Sequence, residues 1–564
     1  MLGILWRLIA VNLIGNLLAQ LANLGRLPRL LRRRRWIGIS LHAHLAARPG
    51  RMRRLFARPE TSLAELGSLF DKLGKDRHVE GVVVRVPQPL TAGWARLATL
   101  RAQVRRLQAA GKRVIVHLSG GGVREYYLAT CADQILADES APLGLTGVAA
   151  EVMFFAGALA KVGARAELEY RGRYKSFAET FTRKDMSEAQ REATDALLDR
   201  VHGELCRAVA KARAVTPELA AELLAGGPYM PAVAAHKGLI DDVRYADEIP
   251  AWLGDAEMRL ASPAEWRRGR LRPLHWRPLL RRRAVRIISL HGTIVAGEGG
   301  ELGRPALGAG PAARALDAAR RDRGTAAVVL HVDSRGGSAQ GSDLIWRQAV
   351  RLAADKPVVA YFDDVAASGG YYLSCAATKI VCQPLTLTGS IGVVGGKLEI
   401  SGLLERAGIG VAVMQRGEAA GMDSASRPYS EEERRRLAEE IEALYRQFVD
   451  KVAAGRKLPR ERAEAVAQGR VWSGLDAREH GLVDELGDVE AAIELAKQLG
   501  RRRPGERLVV RDVRPGPRSR SLLARWLLGA GALALPPPLD ELAEGWSLAG
   551  ERALLLPPVT LRWR

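Results

Sequence analysis

"YYLSCAATKIV" (371–381) has a near-twin earlier in the chain, "YYLATCADQIL" (126–136), and the fold follows from that pair. The step from 126 to 371 is 245 residues. The same step carries "LTGSIG" (387–392) onto "PLGLTG" (142–147) and "QRG" (415–417) onto "YRG" (170–172). With one residue of slippage, "VVLHVDSR" (328–335) falls on "VVVRVPQP" (82–89). Further out, "RIISLHGTI" (286–294) matches "GISLHAHL" (38–45), and "EHGLVDEL" (479–486) matches "AHKGLIDDV" (235–243). Six matches in one order at nearly one spacing are the mark of an internal duplication. One copy spans 36–248 and the other 285–497.

Inside each copy, short apolar runs alternate with helical patterns. "AAVVLHV" (326–332), "KPVVAYF" (356–362) and "KIVCQ" (379–383) read as strands. Residues 311–322, 341–355 and 431–453 carry helical periodicity. Such βαβ alternation predicts an α/β fold with a mostly parallel sheet covered by helices. Around the copies lie an apolar and basic segment (1–35), a basic linker (249–284) and a Pro- and Arg-rich tail (498–564).

At 564 residues, 47% hydrophobic and 26% charged, the chain is long enough for two or three domains with substantial cores. Its four cysteines show no metal-ligand or disulfide-framework spacing. The net charge is +22, concentrated in blocks such as the nine arginines and no acid between Arg267 and Arg286. No nucleic-acid motif accompanies them, which leaves solvated linkers or a surface facing anionic lipid. The first 35 residues are apolar but interrupted by Arg7, Asn12, Asn16, Gln20 and Asn23. They read either as a marginal anchor with Arg32–Arg35 on the cytoplasmic side or as an amphipathic helix lying in the headgroup region.

Two glycine loops at predicted strand ends carry the chemistry. "HVDSRGGSAQGSD" (331–343) and "VAASGGYY" (365–372) can each aim a backbone N–H into one site, as an oxyanion hole requires. Gly336, Gly337 and Gly369 are the candidate donors, and Ser368 is the candidate nucleophile. Dinucleotide and Walker readings fail for want of GxGxxG and GK[ST]. A serine nucleophile needs a base. No histidine lies between 332 and 479; His331 reads as packed in the sheet and His480 as a surface or capping residue. A lysine held neutral is the other common base. Lys175, in "YRGRYKSFAETF" (170–181), stands among aromatics and small residues. Shifted forward by 245 it falls on Ala420, and Ser368 shifted back falls on Val123. Each copy therefore retains one half of a Ser–Lys dyad.

The set "DSRGGS" (333–338), "AASGGYY" (366–372), "LTGSIG" (387–392) and "RYKS" (173–176) running into "DMSEAQRE" (185–192) resembles the long, duplicated signal peptide peptidases of serine peptidase family S49. The resemblance covers roughly 36–497. It implies two tandem Clp protease/crotonase-like domains, with Ser368 as nucleophile, Lys175 as base and Ser390 as a hydrogen-bond partner of the lysine. It also implies an endopeptidase without metal or organic cofactor, acting on signal peptide remnants or other membrane-derived peptides. The family is tetrameric and sits at the bacterial inner membrane, with its body on the extracytoplasmic side. Arg335 departs from the family's proline in the oxyanion loop. A crotonase-like acyl-CoA enzyme, which would not need both Ser368 and Lys175, and an inactive membrane scaffold are the alternatives.

Overall fold

The computed structural model describes residues 12–24, 35–46, 62–269, 282–299, 306–515, 553–555 and 562–563. It divides into two compact units: residues 1–148 with 201–282, and residues 149–200 with 283–564. This cut differs from the boundaries read from the repeats. Residues 149–200, which belong to the first copy by sequence, lie in the second unit. The Arg200/Val201 boundary falls inside the long helix Glu188–Arg213.

The first unit is built on five parallel strands in the spatial order Arg35–Ser40, Val79–Val86, Arg113–Leu118, Gln134–Ala137 and Asp242–Val243. Its central strands are near-continuous Val/Ile/Leu runs buried on both faces, as parallel sheets under helices require. The second unit shows the same progression: Ala284–His291, Thr325–Ser334, Val358–Ala367, Lys379–Cys382 and Glu485–Leu486 are all parallel. A strand from the expected tail, Val509–Val513, extends this sheet beside Ala284–Ile288. The ordered body thus runs past the predicted limit at 497.

Alternation sorts the second sheet's core. Ile288, Leu290, Val328 and Leu330 face one way, against Leu316, Ile345 and Phe448 from helices Ala309–Arg321, Ala339–Asp355 and Glu431–Arg456. Val285, Ile287, Ala327 and Val329 face the other way, against Ala492 and Ala496 of helix Val489–Gly500. Helix Glu431–Arg456 shows why these segments fold locally. Ser430 and Glu433 close a capping box, three glutamates occupy its first turn, and Lys457 ends it in the left-handed region. Its Leu437, Ile441, Phe448 and Val452 form one buried stripe.

The strand Val358–Ala367 forks, and the fork positions the site. Val359–Phe362 pair with Lys379–Cys382, whereas Val365–Ala367 pair with Leu387–Gly389. Ser368 and Ser390 therefore emerge side by side from adjacent parallel strands.

At the N-terminus, Gly15–Leu24 is helical, with Leu17, Leu18, Leu21 and Leu24 exposed. Among the described residues no helix is long and apolar enough to cross a membrane. The rest of segment 1–35 and the centre of the arginine linker lie outside the described residues. The cysteines are free thiols in buried positions.

Candidate active site

Ser368 leaves its strand with φ 55° and ψ −115°, a combination strained for any residue with a Cβ. The strain is held by packing and hydrogen bonds. The Ser368 N–H donates to the Gly389 carbonyl at 2.8 Å, and its own carbonyl accepts from the Tyr372 N–H at 2.8 Å. The serine thus stands on a strand-to-helix elbow, before the short turn Gly369–Tyr372.

Lys175 reaches the elbow from the segment after strand Arg165–Arg171. Its Nζ lies 2.7 Å from Ser368 Oγ, 3.0 Å from the Ser390 carbonyl and 3.1 Å from Ser390 Oγ. All three residues are fully buried. Burial alone pushes the Lys175 amine well below its ordinary pKa, with no neighbouring charge contributing. A neutral amine has two N–H bonds and one lone pair. Three partners around Nζ therefore match the two donations to Ser390 and one acceptance from the Ser368 hydroxyl.

Two glycines, one of them outside the sequence reading, line the surroundings of this lysine. A Cβ on Gly469 would stand 2.6 Å from Lys175 N, and one on Gly392 would stand 3.1 Å from its Cδ. Gly469 also has φ +72°. Tyr174 N–H donates to the Gln468 carbonyl at 2.7 Å. Arg470 pairs with Glu192 at 2.6 Å, and Glu192 accepts from Tyr174 Oη at 3.0 Å. Residues 468–470 thus clamp the lysine segment in place. They were silent in the sequence because their role is a tertiary contact with a segment nearly 300 positions earlier.

The two glycine loops meet beside Ser368. A Cβ on Gly369 would approach Gly336 Cα to 3.0 Å and Ser342 Oγ to 2.5 Å. Only glycine permits that approach. Gly369 opens the helical turn, so its N–H has no acceptor within that turn. Of the three candidate donors, Gly336 is engaged inside its own loop. Its N–H donates to Ser334 Oγ at 3.1 Å and its carbonyl accepts from the Ile294 N–H at 2.8 Å. Gly369 is left to face a ligand, whereas Gly337 lies in a β-ladder opposite Ile294 and Leu555. Arg335 is half-buried at the same turn.

Neither histidine considered in the sequence joins the dyad. His331 is buried in the sheet 3.3 Å from Asp363. His480 follows a short helix, edge-on to Trp472.

The family model of Peptidase family S49 matches twice, over residues 106–258 and 350–502. The chain belongs to peptidase family S49. Its class is therefore that of a serine peptidase, in keeping with its relatives. The chain is 34% identical to "Serine protease SPPA, chloroplastic" of Arabidopsis thaliana, over 78% of this chain and 65% of that one. It is 30% identical to "Protease 4" of Salmonella typhi, over 78% and 72% of the two chains. With "Protease 4" of Haemophilus influenzae it shares 28% identity over 75% and 71%. A solved structure of a ClpP1 mutant from Listeria monocytogenes matches 37% of this chain and 94% of that one, at 15% identity and a TM-score of 0.24.

Proposed function

We propose that this S49 chain is an endopeptidase in which Ser368 and Lys175 form the catalytic dyad. The observation that carries this reading is the 2.7 Å contact between a fully buried, desolvated amine and a serine held at positive φ. The neutral amine takes the Ser368 proton as Oγ attacks a peptide carbonyl. The developing oxyanion rests on the N–H groups of Gly337 and Gly369. Lys175 then protonates the leaving amine and later activates the water that frees the acyl group. Ser390 aims the lysine through its hydroxyl and its carbonyl.

The duplicated Clp protease/crotonase-like organisation, with copies at 36–248 and 285–497, is part of the same reading. It is supported by the repeated strand order and by the two family matches. An acyl-CoA enzyme loses its footing with membership of a peptidase family. For localisation, we favour attachment to the bacterial inner membrane with the body on the extracytoplasmic side. The exposed leucines of Gly15–Leu24 and the neighbouring basic block suit an interfacial helix. Signal peptide remnants or other membrane-derived peptides fit as substrates, and a homotetramer fits the family resemblance.

A fluorophosphonate probe tests the dyad. Labelling that vanishes in Ser368→Ala and fades in Lys175→Ala supports it. Undiminished labelling of both variants overturns it, and no labelling of wild type favours the scaffold. Release of the protein from membranes on removal of residues 1–35 tests the anchor.

A further inference from the structure

The serine elbow is held from behind by three polar side chains that the chemistry above does not use. Tyr372 ends the short turn Gly369–Tyr372, and its N–H closes that turn on the Ser368 carbonyl at 2.8 Å. The hydroxyl of this buried tyrosine donates to Asp343 Oδ1 at 2.8 Å and accepts from Lys451 Nζ at 2.7 Å. Lys451 Nζ also pairs directly with Asp343 Oδ1. The ammonium lies over the Trp346 ring, 3.8 Å from its centroid, and the Phe448 ring packs 4.7 Å from that of Tyr372. Burial, and after it the hydrogen bond to Asp343, push the Tyr372 hydroxyl above its ordinary pKa, so it remains a donor.

The three residues come from three elements of the second unit. Asp343 stands near the start of helix Ala339–Asp355, which grows directly out of the Gly336–Gly337 loop. Ser338 caps that helix by accepting from the Gly341 N–H at 3.1 Å, and Ser342 Oγ donates to the Ser338 carbonyl at 2.8 Å. Ser342 Oγ is also the atom that a Cβ on Gly369 would strike. Lys451 comes from helix Glu431–Arg456. One hydroxyl therefore ties together the elbow, the helix of the glycine loop and the long helix behind them. An apolar trio would fill the same space without the cost of desolvating a charged pair. What the polar trio adds is direction: its hydrogen bonds fix the turn against two helices. A strained φ such as that of Ser368 persists only where its surroundings over-determine it. In the first unit Tyr127, the counterpart of Tyr372 at the repeat spacing, has no such elbow to hold. Its hydroxyl donates to Glu204 at 3.2 Å, and Arg101 stacks on its ring. The Asp–Tyr–Lys arrangement belongs to the unit that carries the nucleophile.

We propose that Asp343, Tyr372 and Lys451 are positioning residues for acyl transfer. They hold the Gly369 N–H and Ser368 Oγ where the developing oxyanion needs them, and so govern the rate of the chemical step and not the binding of peptide. They act through the elbow and not on the reacting atoms themselves. The proposal rests on the Ser368–Lys175 reading above.

The test uses the full chain with Asp343→Asn, with Lys451→Met and with both. Active sites are counted by fluorophosphonate titration, and kcat per site and KM are measured on a fluorogenic peptide. Inhibition by a peptide aldehyde of matching sequence, whose adduct with Ser368 carries the tetrahedral oxygen, is measured alongside. Each single variant should lose about tenfold in kcat per site with KM within about twofold of wild type, a fraction of the cost of removing an oxyanion donor outright. Affinity for the aldehyde should fall in the same proportion as kcat/KM. The double variant should lose no more than the worse single one, because both changes act through one hydroxyl. A merely structural knot would lower the melting temperature and the number of titrated sites while kcat per site stays at wild type. That result overturns the proposal, as does a loss confined to KM, an aldehyde affinity that stays at wild type, or a double variant whose losses multiply. If the wild type fails to label, the dyad falls and the positioning role falls with it. Labelling of every protein at equal rates leaves the dyad and removes the positioning role alone.

Discussion

The two units treat the same place in their sheets in opposite ways. In the first unit the loop after Arg113–Leu118 leads through Gly122 into a regular helix that starts at Val123. The buried Glu125 carboxylate folds back over this loop, accepting from the Leu90 N–H at 2.6 Å and the Gly122 N–H at 2.8 Å. In the second unit the corresponding loop holds Ser368 at positive φ, and glycine replaces the acid: Gly370 is the counterpart of Glu125 at the repeat spacing. Where the first unit satisfies strand-end N–H groups with an internal carboxylate, the second has no such carboxylate at this position and leaves the Gly369 N–H without an acceptor in its own turn. Similar backbone frames thus yield a self-satisfied anion site in one case and a candidate oxyanion hole in the other. The chemistry depends on which side chain fills the loop.

The hardest test of this contrast removes the reacting groups. Ser368→Ala or Lys175→Ala should lower peptide hydrolysis by about 10⁴-fold or more, whereas Val123→Ser should change nothing. Initial rates on a fluorogenic peptide read all three. Wild-type activity should also rise with pH through the lowered Lys175 pKa, because only the unprotonated amine can accept the serine proton. A profile flat from acid to mildly alkaline pH would count against the lysine as base.

The next effect concerns placement of the base. Gly469→Ala forces a Cβ against the Lys175 backbone at a left-handed φ. A displacement of about 1 Å in a catalytic group costs roughly 10²-fold in rate. Hydrolysis should fall by that order while far-UV circular dichroism stays at wild type. Full activity in this variant would show that the lysine channel tolerates movement.

Much of the architecture was legible in the sequence because parallel strands buried on both faces must be continuous apolar runs. "AAVVLHV" and "KPVVAYF" could hardly have been anything else. The serine and lysine were legible for a different reason: their complementary loss across the repeat stands out against Val123 and Ala420. The exchange of residues 149–200 between units was not legible, since a repeat offset records descent and not which body a segment packs against. The strands Val509–Val513 and Ala553–Leu555 were missed because they are short and flanked by arginines or prolines. Their main-chain partners lie far away in sequence, so no local period marks them.

Removing the internal carboxylate of the first unit should cost stability and not chemistry. Glu125→Gln keeps the shape but puts an amide N–H₂ against one of two backbone N–H donors. A buried donor left without its acceptor costs about 1–3 kcal/mol. Urea unfolding of the first unit should show a loss in that range, with the rate of fluorophosphonate labelling at Ser368 unchanged. A labelling defect would mean that the first unit's loop is coupled to the dyad, and the contrast between a structural and a catalytic anion site would have to be redrawn.

The smallest effect has the opposite sign. Lys175→Met abolishes the base but replaces a buried amine with an apolar chain of similar length. In the wild type the folded amine has its pKa held well below the ordinary value of 10.5. Between those two values the unfolded chain binds a proton that the folded chain refuses, so stability falls as pH drops from 10.5 toward the folded pKa and is level below it. Methionine carries no such penalty. The variant should therefore be more stable at neutral pH by about 1 kcal/mol, as is common when an active site's strain is relieved. The gain should shrink as pH approaches 10.5. Thermal melts of the two proteins across that range decide the matter. A variant less stable at every pH would mean that the hydrogen bonds to Ser368 and Ser390 outweigh the cost of burying the amine. The site would then be a structural polar cluster like that around Glu125, and the difference between the two units would no longer be one of chemistry.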